Sequence, residues 1–209
     1  MAGIEILSRD GERFEFGKFI RPIDATQNEG ALRHYTTTID GRGVKPLDVV
    51  EMDLRKHAED PNHPEDWIIY QGSHWKLLDS LSSKVLEAVP QSEGDAWGKT
   101  KGIEPASMPA TIQAIKTAKP LQVRAFWDCS YGNPYLKMKL VYNRLAISIT
   151  DTSFQATHGE KLTPSKDVTI YELASGSFLV LSLTPPFEPH NCGTEYQYRV
   201  VAAIFENEV

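Results

Sequence analysis

Residues 121–151 read LQVRAFWDCSYGNPYLKMKLVYNRLAISITD, and apolar and polar residues alternate along most of this stretch. Alternation with a period of two is typical of β-strands that bury one face. The pattern predicts three strands, at 121–129, 135–142 and 145–151. Short turns between them, at residues 130–134 and 143–144, would join the strands into an antiparallel meander.

The two turns also predict which residues face each other across the meander. A two-residue turn at Asn143 and Arg144 sets Tyr142 opposite Leu145 and continues the apolar pairs on one face. The first hairpin then has three pairs on the outward face, Asp128 with Tyr135, Phe126 with Lys137 and Arg124 with Lys139. The apolar residues therefore lie on one side of the sheet and most of the cations on the other.

The placement of charge limits the classes of ligand. The chain has 209 residues, with 22 Lys and Arg against 28 Asp and Glu, and its net charge is −6. Such an acidic chain is a poor indiscriminate binder of polyanions. However, residues 116–144 hold six Lys or Arg against one Asp, a local charge of +5, which leaves −11 on the remainder. Positive charge is therefore concentrated around the meander.

Outside the meander, short segments rich in Val, Ile, Phe and Tyr are separated by Gly and Pro, which is typical of an all-β protein. The further strand candidates are residues 13–23, 47–54, 67–70, 168–171, 178–184 and 195–205. Leucine and valine between residues 77 and 86 have the spacing of a short amphipathic helix. Repeated Gly and Pro between residues 91 and 120 indicate a linker.

Several short motifs resemble, in order and spacing, the landmarks of a known family. They are Phe19–Ile23, Leu47–Val50, Glu65–Ile69, Trp75, Ser148–Asp151, Leu181–Phe187 and Tyr198–Ile204. On this series the chain resembles the bacterial dual OB-containing domain family over roughly residues 13–206. The resemblance implies two tandem oligonucleotide-binding-type barrels and a role with nucleic acids, and it brings no established catalytic residue.

The predicted fold is thus all-β, with two tandem small OB-like barrels and one short amphipathic helix. The first barrel takes residues 1–100, with the helix near residues 75–88. Residues 101–120 are the linker, and residues 121–209 form the second barrel. Arg21, held extended by Pro22, is expected to pair with a carboxylate such as Asp48, and contact with a ligand is the alternative.

Aromatic residues interleave with the cations of the meander, a combination by which single-strand binders hold phosphates and stack bases. The candidate nucleic-acid-binding residues are Arg124, Phe126, Lys137, Lys139 and Arg144. In the competing interpretation, the aromatics fill the core and the lysines only face solvent. Alternation assigns Trp127 to the core. We predict a non-catalytic nucleic-acid-binding or sensing module whose partner is a single strand.

Two alternatives come from other functional classes. A protein-interaction adaptor would dock a protein partner through the acidic first half. A metal-dependent enzyme acting on nucleotides would draw its ligands from His57, Glu59, Asp60, His63, Glu65, Asp66 and His74. The histidine spacing matches neither a helical site nor a zinc finger, so we expect no metal, no cofactor and no catalytic residue.

The remaining sequence features concern location and reactivity. Cys129 and Cys192 are the only cysteines, too few for a disulfide framework, and we expect both to be unpaired. The chain begins without the pattern of a signal peptide, and no apolar run approaches the roughly 20 residues of a membrane span. These features predict a cytoplasmic protein without a membrane partner. Nucleophile elbows and Cys-x-x-Cys motifs are absent from the sequence.

Overall fold

The computed structural model describes residues 1–27, 32, 36–70, 72, 74–92, 100, 102–105, 110–130, 132–160, 162–163, 167–189 and 193–207. The chain divides into unit 1 (Met1–Pro90 and Ala106–Thr111) and unit 2 (Gln91–Pro105 and Ile112–Val209). The elements of unit 1 are β1 (Gly3–Asp10), β2 (Arg13–Ile23), β3 (Thr38–Ile39), β4 (Arg42–Gly43), β5 (Asp48–Glu51), β6 (Leu54–His57), β7 (Asp66–Ile69), β8 (Lys76–Ser80) and a 3₁₀ helix (Ser83–Ala88). Those of unit 2 are β9 (Gly102–Ile103), β10 (Ile112–Lys116), β11 (Leu121–Asp128), β12 (Tyr135–Tyr142), β13 (Leu145–Ile149), α1 (Thr152–Gly159), β14 (Thr169–Leu173), β15 (Phe178–Leu183) and β16 (Gln197–Phe205).

The strands of unit 2 form one sheet, in the order β10-β15-β16-β13-β12-β11-β14, with β9 paired to β16. In it, β11, β12 and β13 are an antiparallel meander, and the chain returns through α1 so that β14 pairs with β11. This order is a Greek key, the arrangement that OB-fold barrels use. The strand β16 then runs parallel to β13. The three strands predicted from alternation are confirmed.

Unit 2 is held together by apolar burial. Of the buried apolar residues that the structure describes, eighteen belong to unit 2. On the inward face of the meander, six side chains are each at most 3% exposed: Val123, Ala125, Met138, Leu140, Ile147 and Ile149. Each fully buried Val, Leu, Ile or Met side chain contributes roughly 1.5–3 kcal/mol, and Ala125 contributes less. The alternating pattern therefore marks both the strands and the core.

Unit 1 is organised differently, because its described strands pair in three separate sheets, β1-β2-β7-β6, β3-β4 and β5-β8. Its buried apolar residues in the described ranges are Ile69, Trp75 and Val89. Polar side chains are buried beside them. Glu65 accepts hydrogen bonds from the backbone N–H and, at 2.7 Å, from the hydroxyl of Thr111. Hydrogen-bonded polar groups thus carry much of the packing in unit 1.

The prediction of an amphipathic helix near residues 75–88 is wrong for the first half of that segment. Residues 76–80 form β8, which pairs with β5, and only Ser83–Ala88 is helical. Leu78, which the helical spacing placed on the apolar stripe, is 51% exposed. The backbone groups of β8 form their hydrogen bonds with β5. Tertiary contacts therefore determine the structure of this segment, and the helical spacing of its leucines does not. In the described residues the α-helix is α1, whose start is capped by Asp151.

The segment 101–120, predicted as a linker, contains the strands β9 and β10. β9 pairs with β16, and β10 pairs with β15. The backbone of Ser92 also donates to the carbonyl of Ala114 at 2.9 Å. Residues 102–103 and 112–116 therefore belong to a folded unit and not to a spacer.

Candidate nucleic-acid interface

The outward face of the meander has the predicted register. Arg124 lies opposite Lys139, Phe126 opposite Lys137, and Asp128 opposite Tyr135. In the second hairpin, Tyr142 lies opposite Leu145 and Leu140 opposite Ile147. These pairings confirm the register derived from turn length and alternation. The five candidate binding residues thus lie on β11, on β12 and in the turn between β12 and β13.

Arg124 and Lys139 are like charges in directly opposed positions. Arg124 is exposed and Lys139 is half-buried. Neither is within ion-pair distance of a carboxylate in the described part of the chain. Like charges directly across a sheet repel each other and lower its stability. The pair is therefore an uncompensated positive site on the sheet surface.

Lys137 differs from its neighbours because its charge is compensated. Its ammonium group lies 2.5 Å from Oδ2 of Asp128 and 4.9 Å from the ring centre of Tyr135. Hydrogen bonds from Lys137 and Ser130 hold the pKa of the Asp128 carboxyl well below its usual range. The same bond to Asp128 raises the pKa of Lys137 above its usual range. Lys137 thus offers a phosphate less net charge than Lys139 does.

Arg144 occupies the second position of the hairpin turn between β12 and β13. Asn143 has φ 48° and Arg144 has φ 68°, so both residues are in the left-handed region. A two-residue turn of this kind is type I′, and its second position strongly favours Gly. Arg144 is exposed, and its left-handed backbone conformation is energetically unfavourable for a residue other than Gly.

The two neighbouring aromatics of β11 have different surroundings. Phe126 is half-buried on the outward face, and the ammonium group of Lys139 lies 5.7 Å from its ring centre. Trp127 is also half-buried, but its side chain alternates to the inward face and its indole nitrogen is buried. This placement agrees with the assignment of Trp127 to the core. Phe126 is thus the aromatic of β11 that can contact a ligand beside the cations.

A groove of about 520 Å³ adjoins this face, although the sequence did not point to it. It runs from Lys139 across β13 and β16 to the segment that follows β15. Its lining includes Lys139, Ser148, Thr184, Phe187, Glu188 and Tyr198. Phe187 is 49% exposed and packs on Tyr198 with ring centres 4.9 Å apart. Both aromatics lie in the motifs quoted above, but nothing in the sequence places them beside Lys139.

His57 and His63, two of the candidate metal ligands in unit 1, have separate hydrogen-bond partners. Nε2 of His57 lies 2.6 Å from the carbonyl of Pro64, and Nδ1 of His63 lies 3.3 Å from Asp60. One ligand atom each from Asp60, His63 and Asp66 lie within 4.8 Å of one another. The Asp66 carboxylate, however, already pairs with a guanidinium. The cluster is therefore part of a structural ion-pair network, and the expected absence of a metal stays a prediction.

Arg21 pairs with Asp66, so the suggestion of Asp48 as its partner was wrong. Strands β2 and β7 run parallel with Arg21 opposite Asp66, and Nε of Arg21 lies 2.5 Å from Oδ1 of that carboxylate. Asp48 instead accepts hydrogen bonds from Arg42 at 2.9 Å and from the hydroxyl of Ser80 at 2.7 Å. The parallel pairing of β2 and β7, which sequence periodicity does not reveal, determines the partner.

Cys129 is a free, exposed thiol at the end of β11, whereas Cys192 lies outside the described residues. The predicted absence of a disulfide therefore stays a prediction. Among the helices that the structure describes, none has the length and apolar character needed to cross a membrane.

Comparison with known proteins adds one match. No curated protein and no solved structure matches the chain. The family described as Dual OB-containing domain matches residues 1–204, nearly the whole length. The match agrees with the Greek-key order of unit 2 and with the motif series in both halves. The chain therefore belongs to the dual OB-containing domain family.

Proposed function

We propose that the chain is a non-catalytic nucleic-acid-binding module that holds single strands on the outward face of the meander. The observation that carries the proposal is the directly opposed pair Arg124 and Lys139, which has no carboxylate within ion-pair distance among the described residues. An anion lying across the pair would relieve its repulsion. Phosphates spaced along a strand supply such anions, and OB folds bind oligonucleotides on a comparable sheet face.

Two further features support a single strand as the ligand. Phe126 and the groove aromatics Phe187 and Tyr198 have faces on which bases can stack, an interaction that contributes about 1–3 kcal/mol per base. Arg144 adds a third cation at the turn, without a carboxylate at ion-pair distance in the described residues and in a backbone conformation that costs stability. Unfavourable backbone at an exposed charged residue is a reason to infer a binding role.

Replacing Arg124 and Lys139 together with Ala should weaken binding and reduce its dependence on salt. Each phosphate contact to a single strand contributes about 0.7 to the slope of log affinity against log salt, so two lost contacts should lower the slope by about 1.4. Fluorescence anisotropy with labelled oligonucleotides, from low to physiological salt, measures both quantities. Adding Lys137→Ala should change the slope by less than another 0.7, because Asp128 compensates that charge.

The control removes the same charge elsewhere. Arg55 and Lys56 are exposed neighbours on β6 of unit 1, and the Arg55→Ala/Lys56→Ala variant should keep the wild-type slope. An equal decrease of the salt slope in both double variants would mean that binding depends only on net charge, and it would reject the proposed face. Wild-type protein without affinity for any single strand at low salt would reject the function and favour a protein-interaction adaptor.

Replacing Arg144 with Gly should stabilise the fold and weaken binding at the same time. Gly relieves the left-handed backbone at φ 68°, which we expect to raise the free energy of unfolding by about 0.5–1 kcal/mol. Loss of one phosphate contact should lower the salt slope by about 0.7. Urea denaturation and anisotropy measure the two effects. In the matched Asn143→Gly variant the turn changes without loss of charge, so affinity should be retained; reduced affinity there would assign the effect to the turn.

A further inference from the structure

The groove beside the basic face has small residues along its floor. Lys139 lies opposite Ser148, which lies beside Val200 on the parallel strand β16. Ala146, two residues before Ser148 on β13, and Tyr198, two residues before Val200 on β16, line the same groove. Ala146 and Ser148 are both exposed and small, so they leave space above the sheet. Two strand spacings separate Lys139 from β16, a width of about 10 Å.

The opposite side of the groove combines an aromatic wall with a carboxylate. Phe187 packs on Tyr198 and still exposes 49% of its surface. Glu188 follows it in the chain and lines the same groove. Its Oε1 accepts a hydrogen bond from the backbone N–H of Gly193 at 2.5 Å, which orients the carboxylate. In the described residues no cation pairs with Glu188, so its second oxygen can accept a further hydrogen bond.

The charges at the two sides fit different parts of a nucleotide. A phosphate fits beside Lys139 and is repelled by Glu188. A carboxylate instead accepts hydrogen bonds from exocyclic amino groups, as Glu and Asp do from N4 of cytosine. Thymine and uracil have a carbonyl oxygen at that position and would leave the carboxylate facing an acceptor. A site with an oriented hydrogen-bonding group discriminates strongly against an analogue that lacks the partner.

Building on the proposed function, we infer that this groove is a nucleobase subsite that selects bases with an exocyclic amino group. The base stacks on Phe187, its amino group donates to Glu188, and the adjoining phosphate lies toward Lys139 and Arg124. With such a subsite the protein would prefer some single strands over others, and the preference would depend on the side chain of Glu188.

The test compares oligo(dC) with oligo(dT) of twelve nucleotides at neutral pH, since both are pyrimidine strands with equal charge. Wild-type protein should bind oligo(dC) about tenfold more tightly, the discrimination expected from one good base contact. Glu188→Gln, whose amide can also donate to a carbonyl, should bring the two affinities close together. Glu195→Gln is the matched control, because Glu195 is exposed in the same unit and does not line the groove. That variant should keep the tenfold preference.

A second variant separates stacking from selection. Phe187→Ala should weaken binding of both strands about equally, by roughly tenfold, and its thermal unfolding verifies that it is folded. Equal affinity of the wild-type protein for oligo(dC) and oligo(dT), or a preference that survives Glu188→Gln, would overturn the subsite and leave the proposed function standing. Absence of affinity for either strand would instead overturn the proposed function itself.

Discussion

Replacing Asp151 with Ala is expected to lower the free energy of unfolding of unit 2 by about 2–4 kcal/mol. Asp151 is 8% exposed, and its carboxylate accepts three backbone hydrogen bonds. Oδ1 accepts from Ser153 and Phe154 at 3.0 Å, which caps α1, and Oδ2 accepts from Ile204 on β16 at 2.9 Å. The substitution removes the helix cap and leaves the buried N–H of Ile204 without its acceptor.

Two variants identify the cause of that loss. Asp151→Asn keeps one oxygen for the helix cap but presents an amide N–H₂ toward Ile204, so we expect an intermediate loss of about 1–2 kcal/mol. Ser153→Ala changes an exposed neighbour in the same turn and should change stability by less than about 0.5 kcal/mol. Urea denaturation gives the free energies, and hydrogen exchange reports the Ile204 amide directly. Unchanged protection of that amide in Asp151→Ala would contradict the assigned role.

The meander could be predicted from the sequence because one physical signal determines several of its features. Alternation identifies the strands, the buried side chains and the outward cations together, and a two-residue turn then leaves one register that keeps apolar residues on one face. The opposed pair Arg124 and Lys139 follows from that register and is observed. Alternation does not predict the partner of Lys137, because its pairing with Asp128 depends on side-chain conformation across the hairpin.

Other parts of the fold leave no periodic signal. In α1 the buried side chain is Phe154 alone, so the helix has no apolar stripe. The groove needs the parallel pairing of β13 with β16, whose paired residues are about fifty positions apart in sequence. In unit 1 the buried side chains include Asp24, Glu65 and Asp66, residue types that sequence patterns assign to the surface. Such groups become recognisable as interior only when their hydrogen-bond partners are known.

Unit 1 contains two ion pairs of nearly equal length that differ in burial. Nε of Arg21 lies 2.5 Å from Oδ1 of Asp66, and the two side chains are 17% and 8% exposed. Nη2 of Arg9 lies 2.6 Å from Oδ2 of Asp79, but these side chains are 43% and 37% exposed. Removing one partner of a buried pair leaves the other charge without compensation in a poorly solvated place. In an exposed pair, water and salt replace the lost partner. The burial of the side chains, and not the distance between the charged atoms, should therefore determine which ion pair contributes more to the stability of unit 1.

Asp66→Asn is expected to lower the free energy of unfolding of unit 1 by about 2–4 kcal/mol, because the amide keeps the size of the side chain and removes the charge that compensates Arg21. Asp79→Asn is the matched control, and it should leave the urea midpoint nearly unchanged, with any effect disappearing at high salt. Hydrogen exchange of β2 and β7 locates the loss, since their parallel pairing holds Arg21 opposite Asp66. Equal effects of the two substitutions would show that the Arg21–Asp66 pair gains nothing from its burial and that the polar interior of unit 1 is held by other contacts.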